Sequence, residues 1–173
     1  MLVRYGRGDT SALDELVKHW ESRLFYYIMR LVSNEDDGWD ALQDTWFALI
    51  GSISKPWEPR DLVLWLYKTA RHKAMDRLRE RYKNRTLSVE CEEISEVGER
   101  VETFAFEDAE QVHRALGKIS APHREALTLF FLEDLSVAEI AKVLGIATGT
   151  VKSRLHFARK ALRAVIEAEE AMG

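Results

Sequence analysis

Between residues 142 and 163 the chain carries six Lys or Arg side chains and no acid, a local charge of +6. A second cationic block, residues 68–85, sets eight Lys or Arg against Asp76 and Glu80, again +6. Fixed cations at this density bind polyanions: they neutralise phosphates and release condensed counterions, which needs neither a nucleophile nor a proton transfer. Between the blocks, residues 86–111 place nine acids beside one cation, Arg100, for a local charge of -8. The formal net charge of -4 therefore conceals two cationic surfaces and an anionic connector that avoids phosphate. Solvated helices can be equally charged for no purpose, so the blocks acquire meaning only from the elements that position them.

Other chemistries lack their parts. Carboxylates are plentiful, but no nucleophile with a base, no metal-ligand set and no phosphate-cradling glycine loop stands in a recognisable context, so an enzyme is not expected. Cys91 is the only cysteine, which excludes an internal disulfide and is too little for a redox sensor. No Cys/His cluster has zinc-ligand spacing, and neither a metal nor a cofactor is expected. The chain has no run of eighteen apolar residues and no signal-peptide pattern at its N-terminus, which predicts a cytoplasmic protein that is not membrane-inserted.

The hydrophobic spacing is helical nearly throughout. Leu13, Leu16, Val17, Trp20, Leu24, Ile28 and Leu31 recur at three- and four-residue steps and predict a helix over residues 10–32. Trp39, Leu42, Trp46 and Leu49 predict a second, ended by Gly51 and Ser52. Two prolines make residues 51–59 a loop. A third helix begins near Asp61 with Leu62, Leu66, Ala70, Ala74 and Leu78 inward, and the cations Lys68, Arg71, Lys73, Arg77, Arg79 and Arg81 crowd its other faces. Part of that cluster is explained by the favourable meeting of cations with a helix C-terminus. Residues 85–106 are acidic and poorly periodic and predict a flexible linker. Val112, Leu116 and Ile119 then mark one helix. Ala126, Leu127, Phe130 and Phe131 mark another, with Ser120 as a plausible cap.

Residues 135–162, LSVAEIAKVLGIATGTVKSRLHFARKAL, carry the most local logic. Ser136 and Glu139 form a capping box for a helix that buries Ile140, Ala141 and Leu144. Gly145 ends it in the left-handed conformation, and Ile146 turns back toward the core. Thr148 is expected to cap a second helix with Val151, Leu155, Ala158 and Leu162 inward. This is a helix-turn-helix. On its second helix Lys152, His156, Arg159 and Arg163 lie along one side, with Ser153 and Lys160 nearly opposite the apolar stripe. Thr150, Lys152, Ser153 and Arg154 would enter a major groove, while Arg159, Lys160 and Arg163 suit phosphates. His156 is equally well read as an exposed histidine with no task.

Together these segments resemble the extracytoplasmic-function (ECF) class of the sigma-factor family of bacterial RNA polymerase, over nearly the whole chain apart from the acidic tract. The stretch ALGKISAPHREALTLFFLEDLS followed by GTVKSRL and HFARKAL is similar to the family's last helix-turn-helix, which reads the promoter element near minus thirty-five. Asp37, Asp40, Gln43, Asp44 and Thr45 in DGWDALQDTWFAL resemble its helix that docks on core RNA polymerase. WLYKTARHKAMDRLRERYKN is similar to its minus-ten helix, matching most closely at Trp65, Asp76, Arg77 and Arg79, with Arg71, His72 and Lys73 on the same segment. His72 stands where the family usually has asparagine, and Trp39 where an acid is common. In the family, the loop at residues 52–60 accepts a flipped base. Lys55, Trp57 and Arg60 are suitable for that, although Trp57 is read more simply as an apolar anchor of the loop. Trp20, Trp46 and Trp65 are read as core.

The resemblance implies an all-α chain of two small domains, residues 1–84 and 109–173, joined by an acidic flexible linker at 85–108. It implies core RNA polymerase, promoter DNA and an anti-sigma factor as partners. A sigma-like module that sequesters an anti-sigma protein without reading promoters is the alternative, and a freestanding regulator a more distant one.

Overall fold

The computed structural model describes residues 11–32, 34–52, 57–86 and 107–171, with the side chains of 84–86, 107–110, 132 and 170 excepted. All regular structure among them is helical, and the helices fall into two clusters. The first holds α1 (Ser11–Met29), α2 (Glu35–Ser52) and α3 (Pro59–Thr86). The second holds α4 (Glu107–Lys118), α5 (Ala121–Leu127), a π-helical turn (Thr128–Leu132), α6 (Val137–Leu144) and α7 (Thr148–Glu170). The predicted linker falls largely outside the described residues. At its two ends, α3 runs on to Thr86 and α4 begins at Glu107.

In the first cluster α1, α2 and α3 all pack on one another. Tyr27 and Tyr67, both fully buried, meet edge to face at 5.3 Å, and Trp20 adds its ring to Tyr67 at 6.3 Å. Leu16, Leu24, Ile28, Leu42, Leu49, Leu62, Leu66, Ala70 and Ala74 are buried where periodicity placed them. Ala12, Phe25 and Tyr27 are buried outside the predicted stripe, because α1 is covered by two neighbours and not one. Asn34 caps α2 by accepting the Asp37 amide at 3.1 Å, and Glu35, Asp36 and Asp37 in the first turn complement the helix dipole. Gly38 allows α2 to approach α1 closely, since a Cβ there would stand 2.6 Å from the Met29 sulfur.

Two expectations change here. Trp39, read as part of the buried stripe, is 46% exposed; its ring stacks on Phe25 at 4.1 Å and its Nε1 donates to Glu35 at 3.3 Å. The predicted loop is also shorter. Its first two residues belong to α2, and Pro59 opens α3 immediately after Glu58, whose carbonyl accepts the Leu62 amide at 3.0 Å. Proline fits that first helical position because its missing N–H would have no partner there.

In the second cluster α7 packs against α4, α5 and α6, and its buried Val151, Leu155 and Ala158 meet a core of Ala115, Leu116, Ile119, Ala126, Leu127, Leu129, Leu135, Ile140, Val143 and Leu144. Val112 and Phe131, expected inward, are 38% and 60% exposed. Val112 lies midway along α4 with its side chain turned outward, and Phe131 falls in the π-helical turn, where i→i+5 bonding breaks the 3.6-residue phase on which the expectation rested. Ser120 occupies the cap position of α5, but its hydroxyl makes no capping hydrogen bond. The corner between α4 and α5 is closed from the other side. Arg124 donates from Nε to the Leu116 carbonyl at 2.9 Å and from one terminal nitrogen to those of Gly117 and Ile119 at 3.0 and 3.1 Å. These carbonyls lie at the end of α4, where a guanidinium meets both unpaired acceptors and the negative end of the dipole.

Removing that side chain strips charged donors from several partly buried acceptors. Arg124→Ala is expected to lower unfolding free energy by about 2 kcal/mol, and Arg124→Lys to restore only part of it because an ammonium cannot span the same acceptors. Urea denaturation of the three proteins measures this; equal stability of all three would show that water replaces the guanidinium without loss.

Candidate nucleic-acid interface

The helix-turn-helix forms with the local capping that the sequence logic requires, with one exception; Ala141 and Leu162, expected inward, are half-buried. The Glu139 amide donates to Ser136 Oγ at 3.3 Å, and Glu139 Oε2 accepts from the Ser136 amide at 2.8 Å, completing the capping box. Gly145 adopts φ 67°, ψ 35°, and both its amide and that of Ile146 donate to the Ala141 carbonyl, at 2.9 and 3.2 Å. The exception is Thr148. It is the first residue of α7, and the capping position belongs to extended Ala147, which supplies no side-chain bond. The turn out of the left-handed Gly145 is one residue shorter than a threonine cap would need.

With Val151, Leu155 and Ala158 held in the core, the remaining faces of α7 are turned outward. Thr150, Lys152, Ser153, His156, Arg159, Lys160 and Arg163 are exposed, and Arg154 is half-buried on the flank. Lys152, His156, Arg159 and Arg163 follow one another at i, i+4, i+7 and i+11, a continuous strip along one side. Arg159 has a structural tie the sequence reading missed. Its guanidinium carbon lies 5.1 Å from the centroid of Phe130 and 5.4 Å from that of Phe131, so the aromatic pair of the π-helical turn steadies it. Phe157 was also missed. It is 56% exposed on the outward side, four residues after Ser153 and three before Lys160.

On α3, His72, Asp76 and Arg79 are exposed at i, i+4 and i+7 and share an outward side; Arg79 pairs with Asp76 at 2.7 Å. Arg71 and Lys73 are half-buried on either flank. Arg77 points elsewhere. It donates to Asp44 of α2 at 2.9 Å, lies 3.9 Å from Asp40 and 3.3 Å from Glu80, and one turn further on Arg81 reaches Asp37 of α2 at 2.9 Å. Desolvation lowers the Arg77 pKa, but the carboxylates of Asp44, Asp40 and Glu80 outweigh it and raise the pKa above its ordinary value. Two acids expected to face polymerase therefore hold cations of α3, while Asp40 and Gln43 remain exposed. With Glu21 of α1 and Trp39, Leu42 and Trp46 of α2 they line an open groove between the two helices.

The proposed base-receiving loop is described in part. Lys55 lies outside the described residues, and Arg60 is exposed on the first turn of α3. Trp57 is half-buried, with its ring 5.4 Å from that of Trp65 at 61°, an arrangement that anchors the loop to α3. Trp20, Trp46 and Trp65 are half-buried and not fully in the core. Among the described residues there is no group of three or more His, Cys, Asp or Glu able to hold a metal, and no helix long and apolar enough to cross a membrane.

Residues 16–84 match the family described as Sigma-70 region 2, and residues 109–162 that described as Sigma-70, region 4. The RNA polymerase sigma factor SigV of Bacillus subtilis is 31% identical over 139 residues, 80% of this chain and 81% of that protein. The ECF RNA polymerase sigma factor SigL of Mycobacterium tuberculosis is 32% identical over 151 residues, 83% of this chain and 82% of its own. The sigma factor RpoE of Bartonella quintana, solved with the anti-sigma factor NepR, shares the fold at a TM-score of 0.74 and 24% identity, over 91% of this chain and 98% of that one. Two regions matched in order, and relatives of this identity over most of both chains, establish that the chain belongs to the ECF-type, sigma-70 family of RNA polymerase sigma factors, regulators of transcription initiation and not enzymes.

Proposed function

We propose that this chain binds core RNA polymerase and directs promoter-specific initiation, reading the minus-thirty-five element with α7 and engaging the minus-ten element with α3. The observation that carries this reading is the outward surface of α7. Thr150, Lys152, Ser153, His156, Arg159, Lys160 and Arg163 are all exposed on a helix whose other side is fixed in the core, as a groove-reading helix requires. A module kept only to sequester an anti-sigma protein would have no use for that cationic surface, so promoter reading is favoured. Thr150, Lys152, Ser153 and Arg154 meet base edges, and Arg159, Lys160 and Arg163 meet phosphates.

On the N-terminal side, His72, Asp76 and Arg79 present the minus-ten contact surface, with Arg71, Lys73 and Arg77 supporting it and Lys55, Trp57 and Arg60 at the base-receiving loop. Asp40 and Gln43 are the polymerase-facing residues of α2, with Asp37 and Asp44 serving also as anchors for α3. The reading divides the chain into a polymerase and minus-ten domain at 1–84, a linker at 85–108 and a minus-thirty-five domain at 109–173. It places the protein in the cytoplasm and gives it an anti-sigma factor as a second protein partner, as for the RpoE–NepR pair.

Reconstituted transcription with core polymerase and a promoter selected from a random library tests the reading; failure to form a holoenzyme would overturn it. Arg154→Ala is expected to cost about 1 to 3 kcal/mol on the selected upstream element and much less on a scrambled one. Arg163→Ala is expected to weaken both DNAs alike and to reduce the salt slope by about one charge. The two titrations, run over a range of salt concentrations, separate base reading from phosphate contact. For the α2–α3 anchor, a double-mutant cycle of Asp44→Ala and Arg77→Ala is expected to give a stability coupling of about 0.5–1 kcal/mol that shrinks with added salt. A coupling of zero at low salt would remove the anchoring role.

A further inference from the structure

We propose that Phe157 is a specificity-determining residue of α7, seating its ring against the C5-methyl group of a thymine in the major groove. The proposal rests on the promoter-reading role of α7 and adds to it a residue and a base. Phe157 belongs neither to the buried stripe of Val151, Leu155 and Ala158 nor to the cationic strip of Lys152, His156, Arg159 and Arg163. At 100° per residue it falls on the opposite pole of the helix, among Thr150, Ser153 and Lys160, all exposed.

The ring is 56% exposed, and its aromatic contact is an edge-to-face meeting with His156 at 5.3 Å, itself an exposed side chain. Phe131 is as exposed but lies under the Arg159 guanidinium; Phe157 has no comparable cover among the described aromatic and cation contacts. A large apolar ring on this pole is surrounded by hydroxyl and cationic groups that suit base edges and phosphates, which names its partner by elimination. Of the groups on the floor of the major groove, the thymine methyl is the apolar one. A phenyl ring accepts no hydrogen bond of useful strength and repels none of the neighbouring phosphate contacts, so it reads thymine by burying that methyl.

The measurement uses the full chain bound to core polymerase and its selected promoter, with each thymine of the upstream element replaced in turn by deoxyuridine, which lacks only the methyl. The wild-type holoenzyme is expected to lose roughly fourfold in affinity at one thymine, the equivalent of one buried methyl group. Phe157→Ala is expected to bind more weakly on the thymine promoter and to show no difference between thymine and deoxyuridine at that position, while Phe157→Leu keeps part of the difference. Melting curves check that both variants fold, as an exposed position predicts. Retention of the full thymine preference by Phe157→Ala, or indifference of the wild type to every deoxyuridine, would overturn the proposal while leaving promoter selection intact. Loss of polymerase or protein-partner binding by Phe157→Ala with unchanged thymine preference would overturn it in favour of a protein contact. A wild-type holoenzyme that selects no promoter would overturn the functional reading and this inference together.

Discussion

Three small or branched side chains, Val151, Leu155 and Ala158, decide what the outer surface of α7 can do. Their burial against α4, α5 and α6 fixes the rotation of a 23-residue helix about its axis, and every exposed group on it inherits its direction from that choice. Because side-chain positions on a helix are rigidly phased, a rotation of the stripe by one residue would turn the Thr150, Ser153 and Lys160 pole through about 100°. The capping box and Gly145 act on the same constraint from upstream: they start and end α6 at defined residues, so α7 follows the turn in one register.

The N-terminal cluster solves its positioning problem with charge. Asp44 with Arg77, and Asp37 with Arg81, tie α2 to the part of α3 that carries the most cations. Exposed ion pairs contribute little to stability, about 0 to 1 kcal/mol each. Their value here is geometric. They direct two guanidinium groups toward the protein and leave His72, Asp76 and Arg79 as the outward set, so a block that is uniformly basic in sequence becomes two populations with different neighbours.

Much of this was legible in the residues. Ser136, Glu139 and Gly145 specify their local geometry through backbone hydrogen bonds that depend on only a few neighbours, and those readings held in the structure. Leu62, Leu66, Ala70 and Ala74 were equally plain, since a repeated three- and four-residue step has one structural meaning. Periodicity was weaker where a side chain finds a partner other than the core. Trp39 fits the α2 stripe by spacing, yet its partners are Phe25 and Glu35 near the surface. Thr148 has the chemistry of a cap but lies one residue too late. The opposite case is Phe157, an apolar side chain that the spacing does not mark and the structure leaves exposed. The Arg77–Asp44 pair and the Arg124 contacts join residues through tertiary packing, and nothing in the linear order of charges distinguishes them from solvated neighbours.

The π-helical turn at Thr128–Leu132 sits directly between the body of the second cluster and its helix-turn-helix, and two residues beyond it Asp134 has, at 51°, the positive φ found among the described non-glycine residues. Widening a single turn takes up one residue more than an α-helix would over the same rise. The turn thus behaves as a phase shifter in a shaft. It brings Phe130 and Phe131 round together beneath Arg159 while Leu129 still reaches the core and its carbonyl accepts the Leu135 amide at 3.1 Å. Two side chains of the turn are thereby geared to a cation on α7, and the length of this short segment becomes a variable as consequential as its composition.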